Sequence, residues 1–288
     1  MSLAAALERA LGRPLARLEP IAGGDLNDAY AATLAGGGRA FVKTSAAAAP
    51  GAFATEAEGL RWLAEPHALA LPAVLAVADD EDDGPRFLAL EWIEAGRSTP
   101  AAEEALGRGL AALHAAGAPA FGGPDATLRI GPLALPNEPA PDWPAFYAER
   151  RLAPLARLAA ERGALPQAAP ALLEGVLARL PQLAGPPERP ARVHGDLWSG
   201  NVLVDRDGRP WLVDPAAHGG HRELDLAMLR LFGGPSERCF AAYEEVAPLA
   251  PGAAERVALW QLAPLLLHAA LFGAGWGERA TAILRRYA

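Results

Sequence analysis

Three polar side chains able to do chemistry lie within eight residues of each other, in the segment RVHGDLWSGNVLVD at 192–205. They are His194, Asp196 and Asn201, and they stand between the apolar residues of two strand-like pieces. A charged group that is buried without a partner costs several kcal/mol. The cluster therefore needs partners, and these are either structural groups or a substrate.

The next strand-like segment ends in Asp214, thirteen residues beyond Asn201. The turn DRDGR between the two segments predicts a hairpin, which would bring Asn201 and Asp214 to adjacent strand ends. An amide oxygen and a carboxylate are suited to hold Mg²⁺ there, together with phosphate oxygens. Asp196 is then left to accept the proton of a hydroxyl group, or to orient that hydroxyl. Phosphoryl transfer requires this division of labour.

The spacing His-x-Asp-x-x-x-x-Asn, followed by an aspartate at a strand end, is the catalytic signature of the protein-kinase-like fold. That fold also needs a glycine turn over the phosphates, a strand lysine and a helix glutamate that holds the lysine. Lys43 in AFVKT is the predicted lysine and Glu56 the predicted glutamate, with Glu58 as a rival on roughly the opposite side of the helix. The predicted ATP-binding residues are Gly23, Gly24, Asp25, Lys43, Glu56, Glu91, Trp92 and Ile93, the last three through backbone groups at the adenine.

The elements that must position these residues form an α+β, two-lobed arrangement. A small antiparallel-sheet lobe is predicted over 1–92, a hinge over 93–97, and a larger, mostly helical lobe over 98–288. A Pro- and Gly-rich stretch at 118–144 predicts an irregular connection. Predicted helices cover 53–65, 98–117, 143–162 and 168–183, and predicted strands cover 73–78 and 86–93.

Composition narrows the class of protein. The formal net charge is −8 and no run of Lys and Arg is present, which argues against a nucleic-acid partner. The single cysteine, Cys239, excludes an intrachain disulfide and favours a reducing, cytoplasmic location. The uncharged stretch 257–277 contains Gln261, Pro264 and His268, so it is interpreted as core helices and not as a membrane span.

Several segments of the chain resemble the fructosamine kinases (ketosamine-3-kinases), which are relatives of the aminoglycoside phosphotransferases. The resemblance extends over most of the chain, and Trp198, the pair Pro215-Ala216 and the segment GHRELDLAM narrow it to this family. The similar segments are GGDLNDAY, FATEAEGLRWL, LALEWIEAG, DWPAFYAERRLAPL, HGDLWSGN, DPAAHGGHRELDLAML, LFGG and LLLHAALFGAGWGERATAILRRY.

The resemblance implies an ATP- and Mg²⁺-dependent kinase that phosphorylates the 3-hydroxyl of a protein-bound or free ketosamine, which leads to deglycation. Asp196 would be the catalytic residue, and His194 and Asp225 would support its loop. The acceptor site would involve Trp198, His218, Arg222 and Glu223, although the last two could equally form a structural ion pair. The chain departs from the family pattern at Ala217-His218-Gly219 and at Leu135-Pro136-Asn137, in regions expected to shape the acceptor site.

Two alternatives stay open at this point. One is another small-molecule kinase of the same fold, acting on an aminoglycoside, choline or a thiosugar. The more distant one is a non-catalytic nucleotide-binding module, which the presence of Asp196, Asn201 and Asp214 disfavours. The His218–His221 pair is a weak metal candidate because no third ligand is evident. The sequence predicts no oligomeric state.

Overall fold

The computed structural model describes residues 1–22, 27–79, 84–123 and 125–288. Its N-terminal part is built on one antiparallel sheet. The strands are β1 (Leu15–Ile21), β2 (Asp28–Leu34), β3 (Arg39–Thr44), β4 (Val74–Ala78) and β5 (Phe87–Glu91), and the helices are α1 (Leu3–Leu11) and α2 (Ala52–Ala64). The strand order is β1-β2-β3-β5-β4. Strand β3, which carries Lys43, is therefore the central strand and is fixed by neighbours on both sides.

The two helices cover opposite faces of this sheet because successive strand residues point to opposite sides. Phe87 of β5 packs in the cluster that contains Leu7 of α1. The next residue, Leu88, packs with Phe53 of α2. All four side chains are almost completely buried. This alternation places α2, and with it Glu56, on the face of the sheet opposite α1.

The C-terminal part is mostly helical and carries three short antiparallel strand pairs, β6–β7, β8–β11 and β9–β10. The strands are β6 (Thr127–Ile130), β7 (Leu133–Pro136), β8 (Ala191–Val193), β9 (Val202–Val204), β10 (Pro210–Leu212) and β11 (His218–Gly220). The helices are α3 (Pro100–Ala116), α4 (Trp143–Phe146), α5 (Ala153–Glu161), α6 (Ala169–Leu183), α7 (Glu223–Leu229), α8 (Glu237–Val246), α9 (Ala253–Trp260), α10 (Leu262–Phe272) and α11 (Ala274–Tyr287). A π-helical segment, Tyr147–Leu152, joins α4 to α5.

Helix α3 begins and packs as its sequence predicts. The Thr99 hydroxyl accepts a hydrogen bond from the Ala102 N–H at 3.1 Å, and Pro100 occupies the first turn. Gly107 allows α3 to approach α8 closely, because a Cβ at this position would overlap the carbonyl of Cys239. These contacts anchor α3 beneath the segment that carries the polar cluster.

Most predicted elements are confirmed within a few residues, with three differences. The stretch 118–144 is not wholly irregular, since it contains the hairpin β6–β7, whose buried Leu128 and Leu135 give it an apolar side. The predicted strand over 86–93 ends at Glu91. The predicted helix over 143–162 changes to π-helical geometry in its middle. The predicted hinge at 93–97 stays a prediction.

The uncharged stretch 257–277 forms parts of α9, α10 and α11. Its side chains include Leu259, Trp260 and Leu266, which are almost completely buried in the largest apolar cluster of the C-terminal part. Among the helices of the described residues, none is long and apolar enough to cross a membrane.

Candidate active site

The loop between β8 and β9, residues 194–201, carries the polar cluster. His194 fixes its shape through both ring nitrogens. Its Nε2 donates to the carbonyl of Val213 at 2.9 Å, and its Nδ1 accepts from the N–H of Asp196 at 3.3 Å. Burial lowers the pKa of His194, which keeps the ring neutral and lets one nitrogen donate while the other accepts. Gly195 has φ +81°, and a Cβ there would overlap the carbonyl of Ala216, so the turn requires glycine.

Asp225, in the first turn of α7, supports the same loop from below. Its two carboxylate oxygens accept from the backbone N–H groups of His194 and Gly195 at 2.7 and 2.9 Å. His114 of α3 lies 3.2 Å from the Asp225 carboxylate, with Tyr243 on its other ring nitrogen. Burial acts to raise the pKa of Asp225, but these hydrogen bonds hold it below its ordinary value. The backbone beneath Asp196 is thus held by a buried carboxylate.

Asp196, Asn201 and Asp214 come together as the predicted β9–β10 hairpin requires. Val202 pairs with Leu212, so Asn201 and the residue pair Val213-Asp214 lie at the same end. The Asn201 amide nitrogen donates to the backbone carbonyl of Asp196 at 2.8 Å, and lies 3.3 Å from the Asp196 carboxylate. It also lies 3.4 Å from the carbonyl of Asp214. The predicted hairpin and the juxtaposition of its two strand ends are confirmed.

Burial, together with the negative charge of Asp214, raises the pKa of the Asp196 carboxyl to about 7. A carboxylate with a raised pKa is a stronger base. A pKa close to the working pH is also the optimum for a group that transfers protons in catalysis. Asp214 itself adopts φ +57°, which is uncommon for a residue other than glycine. Such backbone conformations concentrate at functional sites.

Lys43 connects the N-terminal sheet to Asp214, which follows β10. Its Nζ lies 3.0 Å from both carboxylate oxygens of Glu56 and 2.7 Å from Oδ1 of Asp214. Burial alone would lower the pKa of Lys43, but the two carboxylates more than offset this and raise it above the ordinary value. The lysine is therefore charged. Glu58 is exposed, so Glu56 and not Glu58 is the glutamate in contact with the lysine.

The donor set of Asn201 and Asp214 fits a hard divalent cation. Asn201 uses its amide nitrogen for the three contacts described above, and in the described ranges no hydrogen bond reaches its Oδ1. The side chain of Asp214 is 52% exposed. Neither here nor elsewhere in the described residues does a group of three or more His, Cys, Asp or Glu side chains form a metal site by itself. Mg²⁺ often uses only one or two protein oxygens and completes its shell with phosphates and water.

The residues predicted to contact adenine lie at the end of β5. Glu91, Trp92 and Ile93 are all half-buried. The Arg39 guanidinium stacks 3.6 Å from the centre of the Trp92 ring, and the indole nitrogen of Trp92 is buried without a hydrogen-bond partner in the described chain. Gly23, Gly24 and Asp25, the predicted phosphate turn, lie outside the described residues.

Two of the four residues predicted for the acceptor site lie in ion pairs instead. The Arg222 guanidinium binds Glu188 at 2.7 and 2.8 Å. Glu223 is buried, and its carboxylate accepts hydrogen bonds from Arg256 and from the Trp260 indole. These contacts favour the structural interpretation that the sequence left open for Arg222 and Glu223.

The other two lie in or against the loop 194–201, which we call the catalytic loop for its predicted role: Trp198 belongs to it and His218 packs against it. Trp198 is exposed and packs edge-on against Phe232, which in turn contacts the rings of His268 and Trp276. His218 is buried and lines a cavity that Asp196 also lines.

Sequence reasoning did not single out five residues of these two regions as site candidates: Tyr147, Arg151, Phe232, His268 and Trp276. One available signal was the spacing of His268 and Phe272 four residues apart, which places their rings on one side of α10; Trp276 follows in α11, beyond the break at Gly273. Tyr147 and Arg151 lie in the π-helical segment, and no spacing rule predicts that geometry.

Comparison with known proteins agrees with this geometry. The family model described as fructosamine kinase matches residues 1–288. A probable ketoamine kinase of Synechocystis sp. is 35% identical over 289 residues, which covers 99% of this chain and 95% of that protein. The crystal structure of a protein assigned as a fructosamine-3-kinase from Thermobifida fusca superposes with a TM-score of 0.91 at 45% identity, covering 99% of this chain and 97% of that one.

More distant structures share the fold alone. The macrolide 2′-phosphotransferase from Brachybacterium faecium superposes with a TM-score of 0.61 at 21% identity, covering 98% of this chain and 96% of that one. The two-lobed α+β, kinase-like fold predicted from the sequence is thereby confirmed. Because the family model matches residues 1–288, this chain belongs to the fructosamine kinase family.

Proposed function

We propose that this protein transfers the γ-phosphoryl group of ATP to a sugar hydroxyl of a ketosamine, the 3-hydroxyl of a fructosamine or ribulosamine. The observation that carries this proposal is the convergence of Lys43, Asp214, Asn201 and Asp196. Each is within 3.5 Å of another member of the group. Phosphoryl transfer depends on positioning and charge neutralisation, and these four side chains supply both.

Asp196 is the proposed base. It would orient the acceptor hydroxyl and accept its proton as the oxygen attacks the γ-phosphorus, while the bond to the β-phosphate oxygen breaks and ADP leaves. The raised pKa of Asp196, about 7, supports this role. His194 and Asp225 are the proposed supports, because together they accept hydrogen bonds from the backbone N–H groups of His194, Gly195 and Asp196.

Lys43 would bind the α- and β-phosphates of ATP, held in place by Glu56. Both side chains are largely buried, so their geometry is restrained by packing. The turn at Gly23, Gly24 and Asp25 would cover the phosphates, and the backbone of Glu91, Trp92 and Ile93 would bind adenine; these assignments rest on the predicted pattern.

Asn201 and Asp214 would hold Mg²⁺, which when bound neutralises the charge of the phosphates. Lys43 contacts Asp214 directly. The same carboxylate can thus be shared between the lysine and a cation, which keeps the phosphate-binding groups in one place.

The aromatic cluster of Trp198, Phe232, His268 and Trp276 supports a ketosamine acceptor. These rings contact one another beside the catalytic loop, and aromatic faces bind the apolar side of sugar rings and amine-bearing chains. A polycationic aminoglycoside would instead favour an acidic pocket, and the four cluster residues are aromatic.

Another hydroxyl kinase of the same fold remains the second candidate. Phosphorylation makes the sugar–amine adduct labile, so the biological role would be deglycation of proteins or metabolites, and the single cysteine agrees with a cytoplasmic enzyme.

A panel of acceptors tests the substrate class. ATP consumption is measured with fructosyl-lysine, ribulosyl-lysine, kanamycin and choline under identical conditions. We expect turnover with one or both ketosamines and background rates with the others. Turnover confined to kanamycin or choline would overturn the ketosamine assignment and retain the kinase assignment.

The variant Asp196→Asn tests the base. We expect kcat to fall about 10²- to 10⁴-fold, the usual contribution of a positioned proton acceptor, while nucleotide affinity measured by calorimetry changes little. Asp207→Asn, on the exposed turn of the same hairpin, is the matched control and should retain wild-type turnover. A variant Asp196→Asn with wild-type kcat would remove Asp196 from this role.

A further inference from the structure

A small cavity lies directly beside the proposed base. It has a volume of about 30 Å³ and is lined mostly by apolar side chains, together with Asp196, Gly195, His218, Arg151 and Tyr147. A cavity needs roughly 10–15 Å³ to hold one water molecule, so this one has room for one or two water-sized groups. Polar side chains from three elements meet there: the catalytic loop, β11 and the π-helical segment.

His218 presents an unused hydrogen-bond acceptor in this region. Its Nδ1 lies 2.8 Å from the carbonyl of Ala216. A carbonyl only accepts, so Nδ1 carries the ring proton and Nε2 holds a free lone pair. Nε2 is buried and finds no hydrogen-bond partner among the described residues. An unsatisfied buried acceptor costs about 1–3 kcal/mol, and a bound hydroxyl would remove that cost.

The ring stays neutral, and its position is fixed. Burial and the nearby positive charge of Arg151 lower the pKa of His218 to about 3. The ring stacks on Phe146 with centroids 5.6 Å apart. A Cβ built on Gly195 would lie 3.0 Å from its Cε1, so the imidazole edge packs against the catalytic loop itself.

Arg151 also lines this cavity, and it has no carboxylate partner among the described residues. Its Nη1 donates to the carbonyls of Pro136 and Arg150 at 2.8 and 2.9 Å, and its Nη2 donates to Asn137 Oδ1 at 3.0 Å. Asn137 belongs to the segment Leu135-Pro136-Asn137, where the chain differs from the family pattern. Its hydrogen bond to Arg151 thus links that segment to the cavity. A positive wall disfavours protonation of His218, so the ring remains an acceptor.

We propose that Nε2 of His218 accepts a hydrogen bond from a second hydroxyl of the acceptor. This hydroxyl is carried by the carbon adjacent to the one whose hydroxyl is phosphorylated. His218 is then a specificity-determining residue for vicinal diols, and the inference rests on the proposed function. The reason is proximity: a sugar whose reacting hydroxyl contacts Asp196 carries its neighbouring oxygen into the region that His218 lines. An acceptor without that oxygen leaves Nε2 unpaired.

A cycle between enzyme and substrate tests the proposal. The kcat/KM values of wild type and His218→Phe are measured with ribulosyl-lysine and with its analogue that lacks the neighbouring hydroxyl. We expect each single change to lower kcat/KM about 10- to 100-fold, the effect of one hydrogen bond to a buried group. We expect the two changes combined to cost no more than either alone. Losses that multiply would overturn the proposal.

Two controls separate a binding role from a structural one. His221→Phe changes another buried histidine, which stacks on Trp260, and its loss should be the same for both acceptors. His218→Gln keeps a neutral acceptor atom, so it should recover part of the discrimination. Should His218→Phe fail to fold, the wild-type enzyme still decides: equal kcat/KM for both acceptors overturns the proposal.

Failure of the proposed function gives a different result. In that case wild type does not phosphorylate either ketosamine, and the acceptor panel identifies the alcohol that it does phosphorylate. The same cycle is then run with that alcohol and its deoxy analogue, and non-additive losses would still support His218 as the acceptor of a second hydroxyl.

Discussion

At the scale of single residues, the site depends on the buried ammonium group of one lysine, which two carboxylates share. Lys43 is 6% exposed and contacts both Glu56 and Asp214. Breaking a buried ion pair by removing one partner is strongly destabilising, because the remaining charge stays buried. Glu56 therefore restrains the position of the lysine and also offsets the cost of its burial.

The variant Glu56→Gln tests this role. It keeps the shape of the side chain and removes its charge, so Lys43 should turn further toward Asp214 and bind phosphates poorly. We expect kcat/KM for ATP to fall about 10- to 100-fold, which corresponds to about 1.4–2.7 kcal/mol of transition-state stabilisation. Glu58→Gln, two residues along the same helix and exposed, is the control and should behave as wild type. An equal loss in both variants would contradict the assignment of Glu56.

At the scale of elements, close approach between backbones determines how the site is held. Helix α3 supplies His114 to the Asp225 network, and it reaches that position because Gly107 lets α3 and α8 pack at short distance. Gly219 of β11 has the same function, since a Cβ there would overlap the carbonyl of Ala120. Neither glycine has a positive φ, so packing and not backbone conformation requires them.

The variant Gly107→Ala tests the approach of α3 and α8. Overpacking costs about 1–3 kcal/mol, and we expect a loss at the upper end because the obstacle is backbone. Gly275→Ala is the matched helical control: a Cβ at Gly275 meets nothing within 4 Å. Alanine should leave stability unchanged there or raise it by about 0.5–1 kcal/mol. Urea unfolding of both variants measures the difference, and equal stabilities would contradict the packing interpretation.

At the scale of the whole molecule, buried neutral histidines make stability depend on pH. Burial lowers the pKa of His194, His218 and His221, that of His218 to about 3 from an ordinary value of 6.5. Above pH 6.5 the rings are neutral in both the folded and the unfolded chain. As pH falls below 6.5 the unfolded chain binds protons that the folded chain does not, so the free energy of unfolding decreases.

His218→Phe should therefore make the protein less sensitive to acid. A histidine with a lowered folded pKa reduces the free energy of unfolding by about 1.4 kcal/mol per pH unit between its unfolded and its folded pKa, a range that for His218 extends down to about pH 3. Relative to pH 8, we expect the variant to retain about 2 kcal/mol more stability than wild type at pH 5. Urea unfolding at several pH values measures this difference. Leu266→Ala, a truncation in the apolar core, should instead lower stability by the same amount at every pH, and identical pH profiles for wild type and His218→Phe would contradict the prediction.

The hairpin end that carries Asn201 and Asp214 could be predicted from the sequence because its geometry follows from local rules, whereas the contact of Lys43 with Asp214 joins residues 171 apart and depends on packing. Asn201 and Asp214 end two strands joined by a short turn, and a hairpin must place such ends side by side. Lys43 and Glu56 follow from strand and helix periodicity together with the kinase-like spacing of the loop. The lengths of these elements are set by patterns of apolar residues, and those patterns can be read directly from the sequence.

Only the tertiary structure decided the surroundings of the residues predicted for the acceptor site. The pairing of Arg222 with Glu188, the burial of Glu223 against Arg256, and the meeting of Arg151, His218 and Asp196 at one cavity join residues far apart in sequence. Long-range side-chain contacts depend on how separate elements pack, and no period in the sequence encodes them. The sequence by itself thus determined which residues are candidates for phosphoryl transfer, whereas the cavity beside Asp196 was determined by packing between β11, the π-helical segment and the catalytic loop.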